Sequence, residues 1–405
     1  MNKSYMEASK HTQSFLIYKW LLAFLFIHSM YFWPTWGIEI APLVAVVFAV
    51  TLYVMLSESL FYMNKGKISA SFAFTFLILW MAKGSNFFGF IHAFADAFVV
   101  TSIICLKDNY KVDAVAFITR VFAIIMLMSM IGYMASLFGV AIPSTMIEYN
   151  QYTLENHYFY VSRPYVLFSR FQGPFLEPGH VSMGLAPILF ANRYNLKDKY
   201  VLILFIAQLL TLSLAGYITL IVGYGLQFLF NKETTSNKFI STAIGGVLLL
   251  LMLSFFRNVY MEDTFEQTII ERLQWEDGKL AGDNRSGTYL DQQFQEVINS
   301  SDIITGRDFN IENSDKGVSG YKLFIVKFGL VGVFLTFWAY TSILTVVDRK
   351  NRLMGRLFLL LLFMLLVQNA YPTWWCMIIS LVCGTKYLEY GRLAKSKYIQ
   401  LRNKQ

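Results

Sequence analysis

Charged residues are scarce in this sequence. Only 15% of its 405 residues are charged, whereas 56% are hydrophobic and the mean hydropathy is +0.48. A typical soluble domain carries roughly 25% charged residues. With so little charge to cover its surface, the chain is not expected to form a soluble globular fold, and most of that surface is expected to face lipid. The composition therefore predicts an integral membrane protein.

Cysteines and the common catalytic motifs are also few or absent. The three cysteines, Cys105, Cys376 and Cys383, lie in apolar segments without the spacing of metal ligands, which is typical of packing residues. The sequence contains no GxxxxGK[ST], GxGxxG, CxxC, HExxH or GxSxG motif, and its five histidines are scattered. We therefore expect no metal, no cofactor and no nucleic-acid partner, and no ATP-driven transport.

Long apolar runs dominate what remains. A membrane-spanning helix needs about 20 apolar residues, and the sequence predicts an all-α polytopic fold with twelve such helices in one membrane domain over 1–405. The first run is too long for a signal peptide and has no cleavage site of small residues, so we expect it to be retained. The predicted spans are 15–33, 38–56, 68–83, 87–106, 114–140, 179–192, 200–213, 216–230, 239–256, 321–346, 357–371 and 374–390.

The segment 200–230 decides the number of spans. One long tilted helix there would give eleven spans, and two short helices meeting at Gly216 would give twelve. With twelve spans and the N-terminus in the cytoplasm, 22 of the 34 basic residues fall in cytoplasmic segments. Because cytoplasmic loops carry the excess of Lys and Arg, this distribution favours two helices, with both chain termini in the cytoplasm.

Two outer segments are too long to be turns, namely 142–178 and 257–320. The second is acidic, with thirteen Asp and Glu against six Lys and Arg. Apolar residues recur at helical spacing over 286–299, which predicts an amphipathic helix resting on the outer membrane surface. Loops of this length are usually functional or disordered, and we expect both to be ordered and functional.

The run RFQGPFLEPGH at 170–180 stands where the first long loop re-enters the membrane. Pro178 suits the first position of a helix, which makes Glu177 the residue before that helix, where a carboxylate is favoured by the helix dipole. Two interpretations stay open for Glu177. It is either a helix cap or a carboxylate held beside Arg170 and available to a substrate.

These features together resemble the Wzy-type O-antigen polymerases and the related O-antigen ligases. The run at 170–180 resembles the loop-to-helix motif of that family, and LSLAGY at 212–217 resembles the small-residue break that follows it. ITGR at 304–307 and KFGLVG at 327–332 resemble the end of the family's second loop and its next helix. The resemblance covers roughly 165–345. Ligases of this family are associated with a histidine in the second long loop, which this sequence lacks, so the polymerases are the better match.

The resemblance implies an enzyme of the bacterial inner membrane, a metal-independent glycosyltransferase that polymerises undecaprenyl-diphosphate-linked oligosaccharide units at the periplasmic face. Donor and acceptor are both lipid-linked glycans, and lipid diphosphate is the leaving group. The resemblance also allows a chain-length regulator and a flippase as partners beside the lipid bilayer. Both long segments would then be periplasmic loops of a protein that contributes to lipopolysaccharide biosynthesis.

This chemistry needs a base for the acceptor hydroxyl and cations for the departing diphosphate. Glu177 is the candidate base, and Arg170 and Arg285 are the candidate catalytic cations, because the first lies in the motif and the second opens the amphipathic helix. The further candidates for substrate binding are Arg163, Arg257, Arg272, Arg307, His180 and Tyr217. For any one arginine, a solvated loop charge is the alternative.

Three alternative functions stay open at this point. A ligase would use the same donor with a different acceptor. A polysaccharide or lipid flippase would be expected to show repeated halves and polar residues at the membrane midplane, and neither is evident here. A non-catalytic membrane scaffold would tolerate any single polar substitution in the two loops.

Overall fold

The structure, a computed structural model, describes residues 3–32, 40–57, 60–149, 152–163, 170–230, 246, 275–276, 279–280, 287–309, 320–347 and 351–389. These residues are mostly helical. The helices are α1 (Lys3–His28), α2 (Ile40–Ser57), α3 (Lys65–Met81), α4 (Phe87–Cys105), α5 (Asp108–Leu137), α6 (Pro178–Ala191), α7 (Lys199–Leu210), α8 (Leu214–Phe230), α9 (Thr288–Ile298), α10 (Asp302–Thr305), α11 (Tyr321–Ser342), α12 (Arg352–Gln368) and α13 (Trp375–Ile379). A 3₁₀ turn, Ile343–Thr345, follows α11, and α13 continues through a π-helical segment, Ser380–Gly384, into helix over 385–389.

The helical part of the prediction agrees closely with the structure. Eleven of the twelve predicted runs overlap helices, and the twelfth, 239–256, lies outside the described residues apart from Gly246. Among the described residues, three helical segments are long and apolar enough to cross a membrane, namely α4, α5 and Tyr321–Thr345, and four shorter apolar helices accompany them. The described chain is therefore mostly helical with three candidate membrane spans, and the count of twelve spans stays a prediction.

A small β-sheet in the first long loop was not predicted. Strands β1 (Thr145–Tyr149), β2 (Tyr152–Asn156) and β3 (Val161–Ser162) form an antiparallel sheet in sequence order. Leu154 and Val161 turn inward and pack with Leu176. Alternating polar and β-branched or aromatic residues favour such strands, but the pattern is only five residues long. A second pair, β4 (Trp275–Glu276) and β5 (Lys279–Leu280), lies in the other long loop. The strands are few and short, and the mostly helical chain is consistent with the predicted all-α membrane fold.

The described chain divides into two compact units. One comprises 1–24, 40–115 and 284–405, and the other comprises 25–39 and 116–283. The first unit contains α2 to α4 and α9 to α13, and the second contains the three-stranded sheet and α6 to α8. The single membrane domain over 1–405 stays a prediction beside this division.

The segment 199–230 is interrupted, as the charge distribution predicted. Helix α7 ends at Leu210 and α8 begins at Leu214, with Leu212 between them in the left-handed backbone region at φ 45°. The interruption therefore lies at 211–213 and not at Gly216, where it was predicted. Gly216 lies inside the first turn of α8, where an added Cβ would collide with the Gln208 amide and the Ser182 hydroxyl. Its role is close packing, not chain reversal.

In the first unit, α11 is kinked at Gly329, which has φ 62° and ψ −168°. A Cβ at Gly329 would collide with the backbone of 304–306, and a Cβ at Gly306 would collide with the backbone of Lys327. Because neither glycine has a side chain, the backbone at the end of the second loop can lie directly against the backbone of the kinked helix. Arg307 N donates to the Val326 carbonyl at 2.8 Å beside this crossing.

The amphipathic helix predicted near 286–299 is present as α9. Its apolar residues Leu290 and Val297 are buried in a cluster with Phe309, Leu323 and Val326. Protein from the loop end and the first turns of α11 therefore covers the apolar face. The predicted helix is confirmed, two of its apolar residues pack against protein, and its position on the outer surface stays a prediction.

Candidate functional site

The first turn of α6 presents a carboxylate and an imidazole together. Glu177 occupies the N-cap position with extended backbone, followed by Pro178, but its side chain makes no capping hydrogen bond. Its Oε2 instead lies 3.6 Å from Nε2 of His180. The Glu177 side chain is 53% exposed, whereas His180 is buried. Glu177 therefore occupies the cap position without a side-chain capping bond, and its placement beside Arg170, available to a substrate, stays a prediction.

The ring of Tyr31 lies against His180. Their ring centroids are 4.9 Å apart and the ring planes differ by 23°, which is a stacked arrangement. Stacking of this kind holds an imidazole in one orientation, here with Nε2 toward Glu177. Tyr31 belongs to the same compact unit as α6, and nothing in the local sequence around it indicated this role.

Arg170 lies at the interruption between α7 and α8. Its Nε donates to the carbonyl oxygen of Thr211 at 3.3 Å. The Tyr217 hydroxyl in the first turn of α8 donates to the Leu209 carbonyl at 2.6 Å. Leu212 breaks the helix here, and Thr211, whose carbonyl accepts from Arg170, is the residue that caps α7. Two of the predicted residues, Arg170 and Tyr217, are therefore at one interruption.

A buried polar network connects that interruption to α6. Gln208 Nε2 donates to the Ser182 hydroxyl at 3.3 Å, and Ser182 Oγ donates to the Pro178 carbonyl at 3.0 Å. Thr211 Oγ1 lies 3.4 Å from Ser182 Oγ and donates to the Gln208 carbonyl at 2.8 Å. Removing any of these groups would leave a buried polar partner unsatisfied. The network therefore orients the start of α6 relative to the interruption that holds Arg170.

Sequence analysis missed Ser182, Gln208 and Thr211. A signal was present for Gln208, because an amide in an otherwise apolar run usually faces a protein partner. Ser182 lies four residues after Pro178 and therefore on the same face of α6, where its hydroxyl reaches the Pro178 carbonyl. Neither residue type is distinctive enough to stand out without the fold.

The predicted arginines differ in their surroundings. Arg163 is exposed directly after β3. Arg307 is engaged by its own neighbours, with Nη2 2.6 Å from Glu296 Oε2 and 2.8 Å from Gln293 Oε1, and Nη1 3.9 Å from Asp302. These contacts connect α9, α10 and the loop end, which indicates a structural role. The prediction that Arg307 binds substrate is not supported by this arrangement. Arg257, Arg272 and Arg285 lie outside the described residues.

A second polar cluster lies on the small sheet of the first loop. His157 Nε2 is 3.2 Å from Ser162 Oγ and 3.7 Å from Glu155 Oε2, and its ring stacks on Tyr160 with centroids 4.3 Å apart. Burial raises the pKa of Tyr160, so its phenol stays neutral. Glu155 lies in β2, and His157 directly follows the end of that strand at Asn156. Such a cluster can hydrogen-bond hydroxyl groups, and sequence analysis missed it.

Within the described ranges, no group of three or more His, Cys, Asp or Glu side chains lies close enough to hold a metal ion.

Comparison with known proteins finds no match for the chain among protein-family models, curated proteins or solved structures.

Proposed function

We propose that the protein polymerises undecaprenyl-diphosphate-linked oligosaccharide units into O-antigen or a related surface polysaccharide. The observation that carries the proposal is a buried polar network in one unit that joins the element carrying Glu177 to the interruption contacted by Arg170. Arg170 is held at the α7–α8 interruption, and Glu177 with His180 is held at the start of α6. Ser182, Gln208 and Thr211 join these two elements.

The proposed reaction assigns a role to each of these groups. The hydroxyl of the acceptor glycan attacks the anomeric carbon of the donor, and its proton passes to the Glu177 carboxylate. The bond from that carbon to the diphosphate oxygen breaks, and the electron pair leaves with the lipid diphosphate. Arg170 stabilises the leaving group through charge-assisted hydrogen bonds. His180, 3.6 Å from Glu177, orients the carboxylate. Cleavage of the bond between the sugar and the diphosphate supplies the driving force, so ATP is not required.

The proposal includes a membrane arrangement. Twelve spans with both termini in the cytoplasm place 142–178 and 257–320 on the periplasmic face of the bacterial inner membrane. The interruption of 199–230 supports this arrangement, because two helices are needed there to keep the later basic clusters in the cytoplasm. On the same face, the exposed Glu177 carboxylate would be accessible to a lipid-linked glycan.

The proposal is tested in a strain that lacks its own copy of the gene and expresses single variants of the protein. Arg170→Ala is expected to abolish long-chain polysaccharide at normal protein level, and Arg170→Lys is expected to restore it in part, because a lysine keeps the charge but not the planar fork. Arg356→Ala is the control, since Arg356 is an exposed arginine of α12. Normal chain-length ladders from Arg170→Ala would contradict the assignment.

The phenotype of the deletion strain separates the alternative functions. Loss of a polymerase leaves single-unit glycan on the cell surface, whereas loss of a flippase leaves none there. Loss of a ligase leaves finished polymer on its lipid carrier. A scaffold would tolerate Arg170→Ala and Glu177→Gln alike.

A further inference from the structure

Three consecutive residues shortly after α1 pack against α6 and the loop that precedes it. Each of their side chains has a partner there, and the pairs are Met30 with Gly184, Tyr31 with His180, and Phe32 with Phe175. All of these residues belong to the second unit. The segment 30–32 is therefore part of the surroundings of α6, and the proposed reaction gives it no role.

The backbone of Tyr31 is in the left-handed region, at φ 61°. This conformation is strained for a bulky side chain, and such strain clusters at functional sites, where the surrounding structure compensates it. The Tyr31 N–H donates to the His28 carbonyl at 3.2 Å, in the turn that follows α1. Glycine or asparagine would adopt this backbone with less strain. The turn alone therefore does not explain a tyrosine here, and the contacts of its ring must.

The Tyr31 ring connects the small sheet of the first loop to the imidazole of His180. It packs against the apolar cluster of Leu154, Val161 and Leu176, which joins the sheet to the loop before α6. It also stacks on His180, with ring centroids 4.9 Å apart and ring planes that differ by 23°. Because the sheet restricts the Tyr31 ring, the stacked imidazole is restricted as well.

His180 in turn is the neighbour of the candidate base. Its Nε2 lies 3.6 Å from Glu177 Oε2, and the Glu177 side chain is half-exposed and makes no capping hydrogen bond. Because a half-exposed side chain can turn in solvent, the contact with the imidazole restricts the direction of the carboxylate. The Tyr31 phenol is also close enough to Glu177 for the two groups to interact electrostatically. The direction of the carboxylate therefore depends on His180 and, through it, on the Tyr31 ring.

We propose that Tyr31 is a positioning residue for the reaction assigned to Glu177. Its ring holds the imidazole of His180 with Nε2 toward the carboxylate, so that the carboxylate meets the acceptor hydroxyl in one direction. A misplacement of about 1 Å in a reacting group can cost about 100-fold in rate. The role belongs to the aromatic ring and does not need the hydroxyl. This inference rests on the proposed function, which supplies the reaction that the positioning serves.

The contact between Tyr31 and His180 is tested without reference to enzyme activity. Diethyl pyrocarbonate modifies accessible imidazoles, and mass spectrometry of the full-length protein in detergent follows its reaction with His180. Tyr31→Leu removes the stacked ring, so His180 should react several times faster than in the wild type. Tyr31→Phe keeps the ring and should react like wild type, as should the control Tyr53→Leu, which replaces an exposed tyrosine of α2. Equal rates in Tyr31→Leu and wild type would overturn the proposal.

The effect on the reaction is measured with purified protein and a lipid-diphosphate-linked oligosaccharide. Tyr31→Leu is expected to lower kcat about tenfold or more with little change in KM, because the base is misdirected while the groups that bind substrate remain. Tyr31→Phe is expected to keep the wild-type kcat. Tyr31→Met, whose flexible thioether fills the space without a planar ring, repeats the test if Tyr31→Leu does not fold.

The outcomes separate this inference from the proposed function. A wild-type kcat in a folded Tyr31→Leu or Tyr31→Met variant would overturn the role of Tyr31 and leave the proposed function intact. A loss of activity in Tyr31→Phe as large as that in Tyr31→Leu would also overturn it, because the hydroxyl and not the ring would then matter. Folded wild-type protein without activity would contradict the proposed function itself.

Discussion

Each unit contains one interrupted helical segment, and an arginine lies beside each interruption. The two arginines differ in the groups that they contact. At the kink of α11, Arg307 is bound by Glu296 and Asp302, and Gly306 and Gly329 bring two backbones into contact. At the α7–α8 interruption, Arg170 donates to the neutral carbonyl of Thr211. The contacts of Arg307 support a structural role for the first interruption, and the chemical role of the second is the proposal that the following experiments test.

The largest expected effect concerns the structural interruption. Gly329→Ala would place a Cβ against the backbone of 304–306 at a positive φ, which nothing nearby can relieve. We expect a loss of roughly 4 kcal/mol or more in the free energy of unfolding, seen as little folded protein in detergent extracts. Gly225→Ala is the control, because no atom lies within 4 Å of its added Cβ. Equal yields from the two variants would show that the crossing is loose.

The next effect concerns chemistry at the start of α6. Glu177→Gln keeps the size of the side chain and removes the proton acceptor, so polymer formation should fall about 100-fold or more. Because Glu177 makes no capping hydrogen bond, the Tm should stay near that of wild type. If Glu177→Gln lowers the Tm and leaves polymer formation unchanged, Glu177 acts as a helix cap and not as the base.

Gly216 tests the packing between the interruption and α6. Gly216→Ala would push against the Gln208 amide and the Ser182 hydroxyl, which are side chains and can move. We expect a destabilisation of about 1–3 kcal/mol and a matching loss of polymer. The double variant Gly216→Ala, Gln208→Ala should recover part of both losses. Purely additive effects in thermal unfolding would mean that the two residues are not coupled.

The smallest effect is expected at Arg307. Arg307→Ala removes partly exposed ion pairs, for which we expect a loss of about 1 kcal/mol in stability and an unchanged chain-length ladder. Glu296→Gln should have a similar effect on the Tm, since it removes the 2.6 Å contact from the other side. If the Arg307→Ala variant keeps normal stability but makes no long-chain polysaccharide, Arg307 belongs to the substrate site. The proposed difference between Arg307 and Arg170 would then be wrong.

Apolar periodicity and charge distribution predicted the helices, including the interruption at 199–230 and the amphipathic α9, because these features depend on local sequence and on the bilayer. The position of the interruption was missed, because Leu212 adopts a left-handed conformation that its residue type does not favour. The acidic partners of Arg307 and the network through Ser182 and Gln208 depend on contacts between distant segments, which a single sequence does not indicate. The five-residue strands of the first loop were too short to stand out.

The central claim is that the protein transfers glycan from a lipid diphosphate at a site containing Arg170 and Glu177. The direct measurement uses purified protein with a lipid-diphosphate-linked oligosaccharide and follows chain length and released lipid diphosphate together. We predict a ladder of products with one lipid diphosphate released per bond formed, lost in Arg170→Ala and retained in Arg356→Ala. Folded wild-type protein that releases no lipid diphosphate, or an Arg170→Ala variant that still makes the ladder, would contradict the account.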